Sequence, residues 1–436
     1  MYAGTSHPSV RFLALVLILA AVAVFAVACG GSTTTTPSAP ATTVTTAPAT
    51  TTTTAAPAAT TTTAAQGIIF GLLMVGPYND HGWSQAHYDA CKYVEQKVPG
   101  SKLVYIDKVN SSDRPGTTPD QLAESLVAQG AKLVIFSSDD MKDGAVAFAQ
   151  KHPDIPVIFA SGDTSWKDGK DYKNLPNMVN IMGRMEYGKM MAGVAAALTT
   201  QTGQIGYLGP LINDETRRLA SSVYLGAKYA WTKYLNKNAA DLKFKVTWIG
   251  FWFNIPGVTS DPTQVADEFF NQGYDVVVSG IDTTEALVEA GKQSAAGKKA
   301  WAIPYDYKGA IDEAATVALG VPYFNWGPSY VEQVKAVMAG SFKQDFQWLA
   351  PDWKDINNAD TSIVGFAKGK ALSADAATKL DGFIAELAGG LNLWTGPLNL
   401  QDKSAYLKDG EKATDLQVWY LPQLLEGMEG QSVAAK

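Results

Sequence analysis

Cysteine, histidine and stretches of like charge are scarce in this chain of 436 residues. It has 2 cysteines and 4 histidines, which excludes a disulfide-rich scaffold and leaves few ligands for a zinc site. The formal net charge is -7 and no basic block occurs, so the sequence argues against a nucleic-acid-binding surface. Neither a G-x-S-x-G elbow nor a phosphate-binding P-loop is present, which argues against those classes of enzyme.

The start of the chain has the features of an export signal. Arg11 precedes an apolar run from Phe12 to Ala28, which is slightly shorter than the roughly 20 residues that a membrane-spanning helix needs. The stretch "AVACGGS" around Cys29 resembles a bacterial lipobox, in which the cysteine becomes the lipidated N-terminus. We therefore expect residues 1–28 to be a lipoprotein signal peptide and the protein to be exported and lipid-anchored to the cell membrane, at its outer face or on the periplasmic side. An ordinary signal peptide or an uncleaved anchor is the alternative.

The segment that follows is rich in Thr, Ala and Pro and contains no charged residue. Such a composition buries too little apolar surface to offset the entropy of ordering the chain. We expect residues 29–66 to be the lipidated Cys29 followed by a disordered tether. The folded part then begins near Gly67 and is long enough for two domains of about 100–200 residues each. Cys91 has no partner left for an internal disulfide and is expected in the core.

Beyond Gly67, short β-branched runs alternate with amphipathic helical stretches. The runs include "IIFGLLMV", "KLVIF", "PVIFA", "QIGYLG" and "YDVVVSG". Apolar runs of this length, separated by helices, are typical of parallel strands that are covered on both faces. The sequence therefore predicts an α/β protein.

An internal repeat indicates two similar lobes. "PDQLAESLVAQGAKLVIFSSDD" aligns without a gap on "PTQVADEFFNQGYDVVVSGIDT", and in both copies a proline opens a helix that a Gln-Gly pair closes. We predict two Rossmann-like lobes with parallel sheets, joined by a hinge into a clamp. The expected boundaries are 67–182 for the first lobe and 183–320 for the main part of the second. Residues 321–436 would return to complete both. Chance similarity of two ordinary αβ units is the alternative.

Ligands of open α/β sheets bind outside the carboxyl ends of the strands, so the residues that follow each strand are candidates for a ligand site. Trp83 from the first lobe and either Trp252 or Phe253 from the second are placed to sandwich a planar ligand. Carboxylates beside them would accept hydrogen bonds from its donors. The full set of predicted ligand-binding residues is Tyr78, Asn79, His81, Trp83, Ser138, Asp139, Asp140, Trp252, Phe253, Asp282, Thr283 and Asp306.

Several of these residues also have a purely structural interpretation. Asp80 can cap the helix that starts near Trp83, and Trp83 itself can pack in the core. Asp306 can satisfy a turn at the end of a strand. His81 and His87 lie close in sequence, but no third ligand stands near them, so no metal site is expected.

The folded part, from about Gly67 to Tyr420, resembles the basic membrane protein (BMP) family of bacterial lipoproteins. The matching pieces are "DHGWSQAHYDA", "GRMEYGKMMAGVAAA", "AIPYDYKG" and "LWTGPLNLQDKSAYLKDG", in this order. The resemblance implies a clamp of the periplasmic-binding-protein type I. It also implies the solute-binding component of an ABC transporter that takes up purine bases or nucleosides, with an ABC permease as partner. It also implies a clamp in which Trp83 and Trp252 or Phe253 hold the ring and Asp282 holds polar edges.

One stretch departs from that family pattern. "FSSDDM", from Phe136 to Met141, carries the paired acids Asp139 and Asp140 where a Gly- or Thr-rich loop is expected. These acids favour a ligand with more hydrogen-bond donors, even a cationic one. A surface sensor with the same clamp and, less favoured, a hydrolase using these acids are the alternatives. We expect no enzyme activity, no cofactor and a monomer.

Overall fold

The computed structural model describes residues 67–433. The predicted signal peptide, Cys29 and the tether lie outside the described residues. Within residues 67–433, no helix is both long and apolar enough to cross a membrane.

The first lobe is built around a six-stranded sheet in which every neighbouring pair of strands is parallel. Its strands β3 and β4 are fully buried, as expected for strands covered by helices on both faces. The strand order is β11-β5-β4-β3-β1-β2, so the sheet is completed by one strand from far along the chain. The elements of this part are β1 (Ile69–Leu73), α1 (Trp83–Lys97), β2 (Lys102–Ile106), α2 (Pro119–Ala128), β3 (Val134–Phe136), α3 (Lys142–Lys151), β4 (Val157–Ala160), β5 (Met178–Gly183) and β11 (Asp345–Leu349).

The second lobe repeats this plan with five parallel strands in the order β15-β7-β6-β8-β9. Here too the last strand comes from near the end of the chain. The elements are α4 (Met185–Thr199), β6 (Gln204–Gly209), α5 (Asp214–Tyr229), β7 (Lys243–Trp248), α6 (Pro262–Asn271), β8 (Val276–Ser279), α7 (Glu285–Ala295), β9 (Trp301–Ile303) and β15 (Met428–Glu429). The prediction of an α/β fold with two parallel-sheet lobes is confirmed.

The internal repeat occupies equivalent places in the two sheets. β3 lies between β1 and β4, and β8 lies between β6 and β9. The helices that precede them, α2 and α6, both start at a proline whose missing N–H costs nothing at the first helical position. Gly130 and Gly273 follow these helices with φ of +98° and +90°, a conformation that glycine adopts without strain.

The two lobes are connected by three segments of chain. The first runs from β5 into α4, and the other two contain an antiparallel pair of strands that lies outside both large sheets. Between these strands α8 packs against α1 of the first lobe, and after them α9 packs against α4 of the second. The remaining elements are β10 (Gly320–Phe324), α8 (Gly327–Met338), β12 (Val364–Lys368), α9 (Ala374–Ala388), β13 (Leu398–Asn399), β14 (Ala405–Leu407) and α10 (Asp415–Trp419).

The composition of α4, rich in Ala, Gly and Met, is explained by how closely it packs against α5. A Cβ on Gly193 would lie 2.0 Å from the carbonyl oxygen of Val223, and one on Gly226 would lie 2.1 Å from that of Met190. Only glycine fits at these two crossing points. Because α4 is buried over most of its length, it forms a rigid support for the second sheet and for the pocket beside it.

Candidate functional site

A pocket lies between the two lobes, where the loops after strands of the first sheet face loops and a helix of the second. The lining side chains leave about 20 Å³ free inside it, within about 410 Å³ of empty space that includes the opening to solvent. Because small-molecule pockets measure about 300–1,000 Å³, this pocket has to widen when a ligand binds. Its lining residues are Trp83, Ser138, Asp139 and Ser161 from the first lobe, and Tyr207, Glu215, Thr216, Leu219, Trp252, Gly280, Asp282 and Tyr305 from the second.

Two indole rings, one from each lobe, line this pocket. Trp83 begins α1, is 7% exposed and donates its indole N–H to the carbonyl oxygen of Ser137. Its ring also makes edge contacts with Phe324 and Trp326, at 5.4 Å between centroids in each case. Trp83 is therefore both a core residue and a pocket residue, so the two interpretations of its role are compatible.

A backbone hydrogen bond fixes the position of Trp252. Its carbonyl oxygen accepts a hydrogen bond of 2.9 Å from the N–H of Asp282, which ties the loop after β7 to the loop after β8. The indole N–H of Trp252 is buried and has no hydrogen-bond partner among the described residues. A buried donor without a partner costs free energy, so this N–H is available to a ligand.

Two further polar groups of the pocket are buried without a hydrogen-bond partner among residues 67–433. They are the hydroxyls of Ser161 and Tyr305. Three unpartnered polar groups around one small cavity exceed what is usual for a protein interior. A ligand with hydrogen-bonding edges would satisfy them.

Carboxyl groups dominate the polar side of the pocket. Asp282 is 4% exposed, and its burial, together with the nearby negative charge of Asp306, raises its pKa well above the usual range. Burial raises the pKa of Glu215 to about 7, although the positive charge of Arg218 opposes the shift. Burial also raises the pKa of Asp139, against the attraction of Lys142. The pocket therefore favours a ligand that supplies hydrogen-bond donors or positive charge.

Behind the pocket, in the second lobe, lie Asp306 and Lys189, which are both fully buried. Lys189 donates to the carbonyl oxygen of Ser279 at 2.8 Å and its ammonium lies 3.1 Å from the centre of the Tyr305 ring. Both carboxyl oxygens of Asp306 lack a hydrogen-bond partner among the described residues. Asp306 thus lies next to the pocket-lining Tyr305, outside the set of residues that line the cavity itself.

Strained backbone marks the same region. Ser161 and Asp306 have φ of +68° and His81 has φ of +59°, and none of them is a glycine. Each follows a strand of one of the two large sheets. Such a conformation costs about 1–3 kcal/mol and is often retained at functional sites.

Of the 12 predicted site residues, Trp83, Ser138, Asp139, Trp252 and Asp282 are brought together around the pocket. The outer half of the loop after β1 is turned away from it. Asp80 accepts hydrogen bonds from the N–H groups of Gly82, Ser84 and Gln85 and so caps α1. This cap fixes the loop with Tyr78 and Asn79 on the outer surface, where Tyr78 is 39% exposed and packs on Tyr88 and Tyr105.

The other predicted residues also lie outside the pocket lining. His81 is exposed, and its Nδ1 forms a hydrogen bond with the carboxyl group of Glu313, which follows β9 in the second lobe. Asp140 is exposed beside the pocket mouth, because the 3₁₀ turn Asp139–Met141 directs the two acids differently. Phe253 packs edge-on against Phe251 at 5.1 Å. Thr283 is partly buried, and its hydroxyl has no partner among the described residues.

Sequence reasoning missed several lining residues for two reasons. Ser161 and Gly280 follow β4 and β8, so the rule that ligands bind at strand ends would have found them. Glu215, Thr216 and Leu219 lie in the first turns of α5, where their spacing is that of any amphipathic helix. No signal in the sequence separates these from ordinary core-facing positions.

His87, which lies close to His81 in sequence, is a core residue. His87 is fully buried, hydrogen-bonds the hydroxyl of Tyr330 at 2.7 Å and stacks on Trp326. Burial lowers its pKa well below the usual value, so it is a neutral core residue. Among the described residues, no group of three or more His, Cys, Asp or Glu side chains is placed to hold a metal ion.

Comparison with known proteins identifies the family. The model of the Bmp family, described as ABC transporter substrate-binding protein, PnrA-like, matches residues 69–376. The chain belongs to this family. Proteins of this family bind solutes outside the cytoplasm for ABC transporters and are not enzymes. This confirms the predicted family and the prediction of a solute-binding protein.

Individual relatives agree with this assignment. A purine-binding protein of Brucella abortus is 29% identical over 346 residues, which is 79% of this chain and 88% of that protein. A putative ABC transporter glucose-binding protein of Haloferax volcanii is 26% identical over 275 residues, 63% of this chain and 62% of that protein. A solute-binding protein of Aeropyrum pernix superposes with a TM-score of 0.56 at 13% identity, covering 76% of this chain and 93% of that structure, which supports the fold.

Proposed function

We propose that this protein captures a purine base or nucleoside in the pocket between its lobes and delivers it to an ABC permease. The observation that carries the proposal is the pair of indole rings, Trp83 from one lobe and Trp252 from the other, on the same small cavity. The purine-binding relative from Brucella abortus supports the same ligand class.

The aromatic part of the pocket suits a planar ring. Aromatic contacts contribute about 0.5–1.5 kcal/mol beyond the burial of area, provided that the rings are offset or edge-on. Because Trp83 and Trp252 belong to different lobes, both contacts exist only when the lobes are closed. Ligand binding would thus shift the population from an open to a closed form.

The polar part of the pocket suits the edges of a purine. Asp139, Glu215 and Asp282 offer acceptors for amino and ring N–H groups, and the Trp252 N–H offers a donor for a ligand oxygen outside the ring plane, such as a ribose hydroxyl. The hydroxyls of Ser161 and Tyr305 can serve as either. A nucleoside would place its ribose hydroxyls on one of these carboxyl groups.

Anchoring through a lipidated Cys29 and a flexible tether completes the proposal. It would keep the folded part near the membrane while allowing it to reach the permease. We expect the protein to act as a monomer, because each chain holds a complete pocket.

A test of the ligand is isothermal titration of the protein, stripped of carried-over ligand, with adenine, hypoxanthine, guanine, adenosine and guanosine. We expect saturable binding of at least one of them, and a loss of about tenfold or more in affinity in Trp252→Ala. The matched control is Trp353→Ala, because Trp353 is also half-buried but packs on Tyr187 instead of lining the pocket.

A second ligand class is a sugar or another small polar molecule. The relative from Haloferax volcanii is described as glucose-binding, and carboxyl groups beside an aromatic ring also suit vicinal hydroxyls. Glucose therefore joins the titration panel. Binding of glucose without binding of any purine would replace the proposed ligand while leaving the transport role intact.

A further inference from the structure

The buried charges in and behind the pocket do not balance. Asp282 and Asp306 are 4% and 0% exposed, and the cation that acts on Asp306 is Lys189, whose own pKa is lowered by burial to about 7. That ammonium is directed at the carbonyl oxygen of Ser279 and the face of Tyr305. If all three groups were ionised, the trio would carry one uncompensated negative charge in a site from which water is excluded.

The neighbouring groups make the imbalance larger instead of correcting it. The nearby cation Arg218 is bound to Glu186 at 2.7 Å and offsets only part of the effect of burial on Glu215. Six titratable groups face the Asp282–Asp306 pair: Asp80 from the loop after β1, Lys189 from α4, Tyr207 from β6, Glu215 from α5, Glu285 from α7 and Tyr305 after β9. Three of them are carboxylic acids and one is a base.

A buried, uncompensated carboxylate is costly, and such a group takes up a proton when no cation reaches it. Neither carboxyl oxygen of Asp306 has a partner at full hydrogen-bond geometry among residues 67–433, and the hydroxyl of Tyr305 is the one neighbouring donor there that favours its charged form. Its backbone φ of +68° shows that the position is held under strain. Burial raises the pKa of Asp306 well above the usual range, with Lys189 opposing the shift.

From this geometry we infer that the Asp282–Asp306 pair holds a proton when the lobes are closed, so that an uncharged ligand is captured together with one proton. The inference rests on the proposed function, because it concerns the same pocket. In the open form water reaches Asp282 and stabilises its charge. When the lobes close on a neutral base, that water leaves and the pair gains a proton from solvent.

The difference in pKa between the open and closed forms determines how ligand affinity changes with pH. A carboxyl group whose pKa is higher in the closed form than in the open form favours closure at low pH. Affinity for the ligand is therefore highest below the open-form pKa and falls as pH rises towards the closed-form pKa. For one proton the affinity falls about tenfold per pH unit within that window.

The test is calorimetric titration with adenine, which is uncharged near neutral pH, in buffers of different ionisation enthalpy from about pH 6 to about pH 8. The expected result is an uptake approaching one proton per adenine bound, and an affinity that falls with pH. Asp306→Asn should abolish the uptake and flatten the pH profile. Asparagine is nearly isosteric with aspartate and tolerates positive φ, so the variant should fold. Asp375→Asn, on the exposed face of α9, is the matched control and should behave as the wild type.

Adenine binding with no buffer-dependent heat would overturn the inference while leaving the proposed function standing. If no purine binds, the proposed function fails, and the same series of buffers is run with glucose, which is also uncharged. Uptake of a proton by the wild type and none by Asp306→Asn would support the inference, whereas glucose binding without uptake, or no closure on any ligand of the panel, would overturn it.

Discussion

Replacing Arg218 by methionine should destabilise the protein far more than replacing an exposed arginine. The guanidinium of Arg218 donates from Nε to Glu186 Oε1 at 2.7 Å, and the two side chains are only 2% and 5% exposed. It also lies 4.2 Å from the ring centre of Trp419. The second oxygen of Glu186, Oε2, has no partner among residues 67–433, so Arg218 is its main compensation.

The magnitude follows from this arrangement. Removing one partner of a buried ion pair leaves the other charge buried and uncompensated, which costs about 3–5 kcal/mol. Arg184 provides a comparison, because its pair with Asp415 at 2.6 Å is partly exposed. Exposed pairs contribute about 0–1 kcal/mol, and Arg184 additionally packs its guanidinium on Trp348 at 4.0 Å.

The assay is urea unfolding followed by tryptophan fluorescence and circular dichroism, comparing Arg218→Met with Arg184→Met. We expect the free energy of unfolding to fall by about 3–5 kcal/mol in the first variant and by about 1 kcal/mol in the second. The double variant Arg218→Met with Glu186→Gln should recover part of the loss, because the buried charge is then gone. Equal effects of the two single variants would refute the reasoning.

Two further predictions concern packing and the pocket. Gly226→Ala should lower the free energy of unfolding by about 1–3 kcal/mol, because its Cβ would lie 2.1 Å from the Met190 carbonyl oxygen. In Gly382→Ala the added Cβ meets nothing within 4 Å, so this variant should instead raise the free energy of unfolding by about 0.5–1 kcal/mol. Thermal unfolding of both variants measures the two effects. Tyr305→Phe removes a buried, unpartnered hydroxyl, so it should leave stability unchanged or higher. The same variant should weaken ligand binding about 2–10-fold by titration if that hydroxyl contacts the ligand, and unchanged affinity would exclude the contact.

The fold was predictable because buried parallel strands leave a direct record in the sequence. Continuous apolar runs such as Val276–Ser279 and the proline-initiated helices α2 and α6 are local features, each caused by its own short segment of chain. The repeat then indicated which strands correspond. How the late strands β11 and β15 complete the two sheets was less predictable, since that pairing depends on contacts distant in sequence.

The residues of the site were predictable from the sequence only where they follow strands. Trp83, Asp139 and Asp282 follow strands in sequence and meet at the pocket, as the strand-end rule requires. Tyr78 does not, because the Asp80 cap turns the loop outward, and a cap is indistinguishable from a ligand contact in sequence. The α5 face with Glu215 was missed because its position depends on how the lobes meet.

Hydrogen exchange measured by mass spectrometry, with and without adenine, tests most directly the claim that both lobes hold one ligand. Peptides containing Trp83 and peptides containing Trp252 should become protected together, along the same saturation curve, because the two indoles line one cavity. The hydrogen exchange of a peptide that covers α9 should not change when adenine is added. Protection of one lobe alone at saturating adenine would contradict the account, because the ligand would then not be held between the lobes.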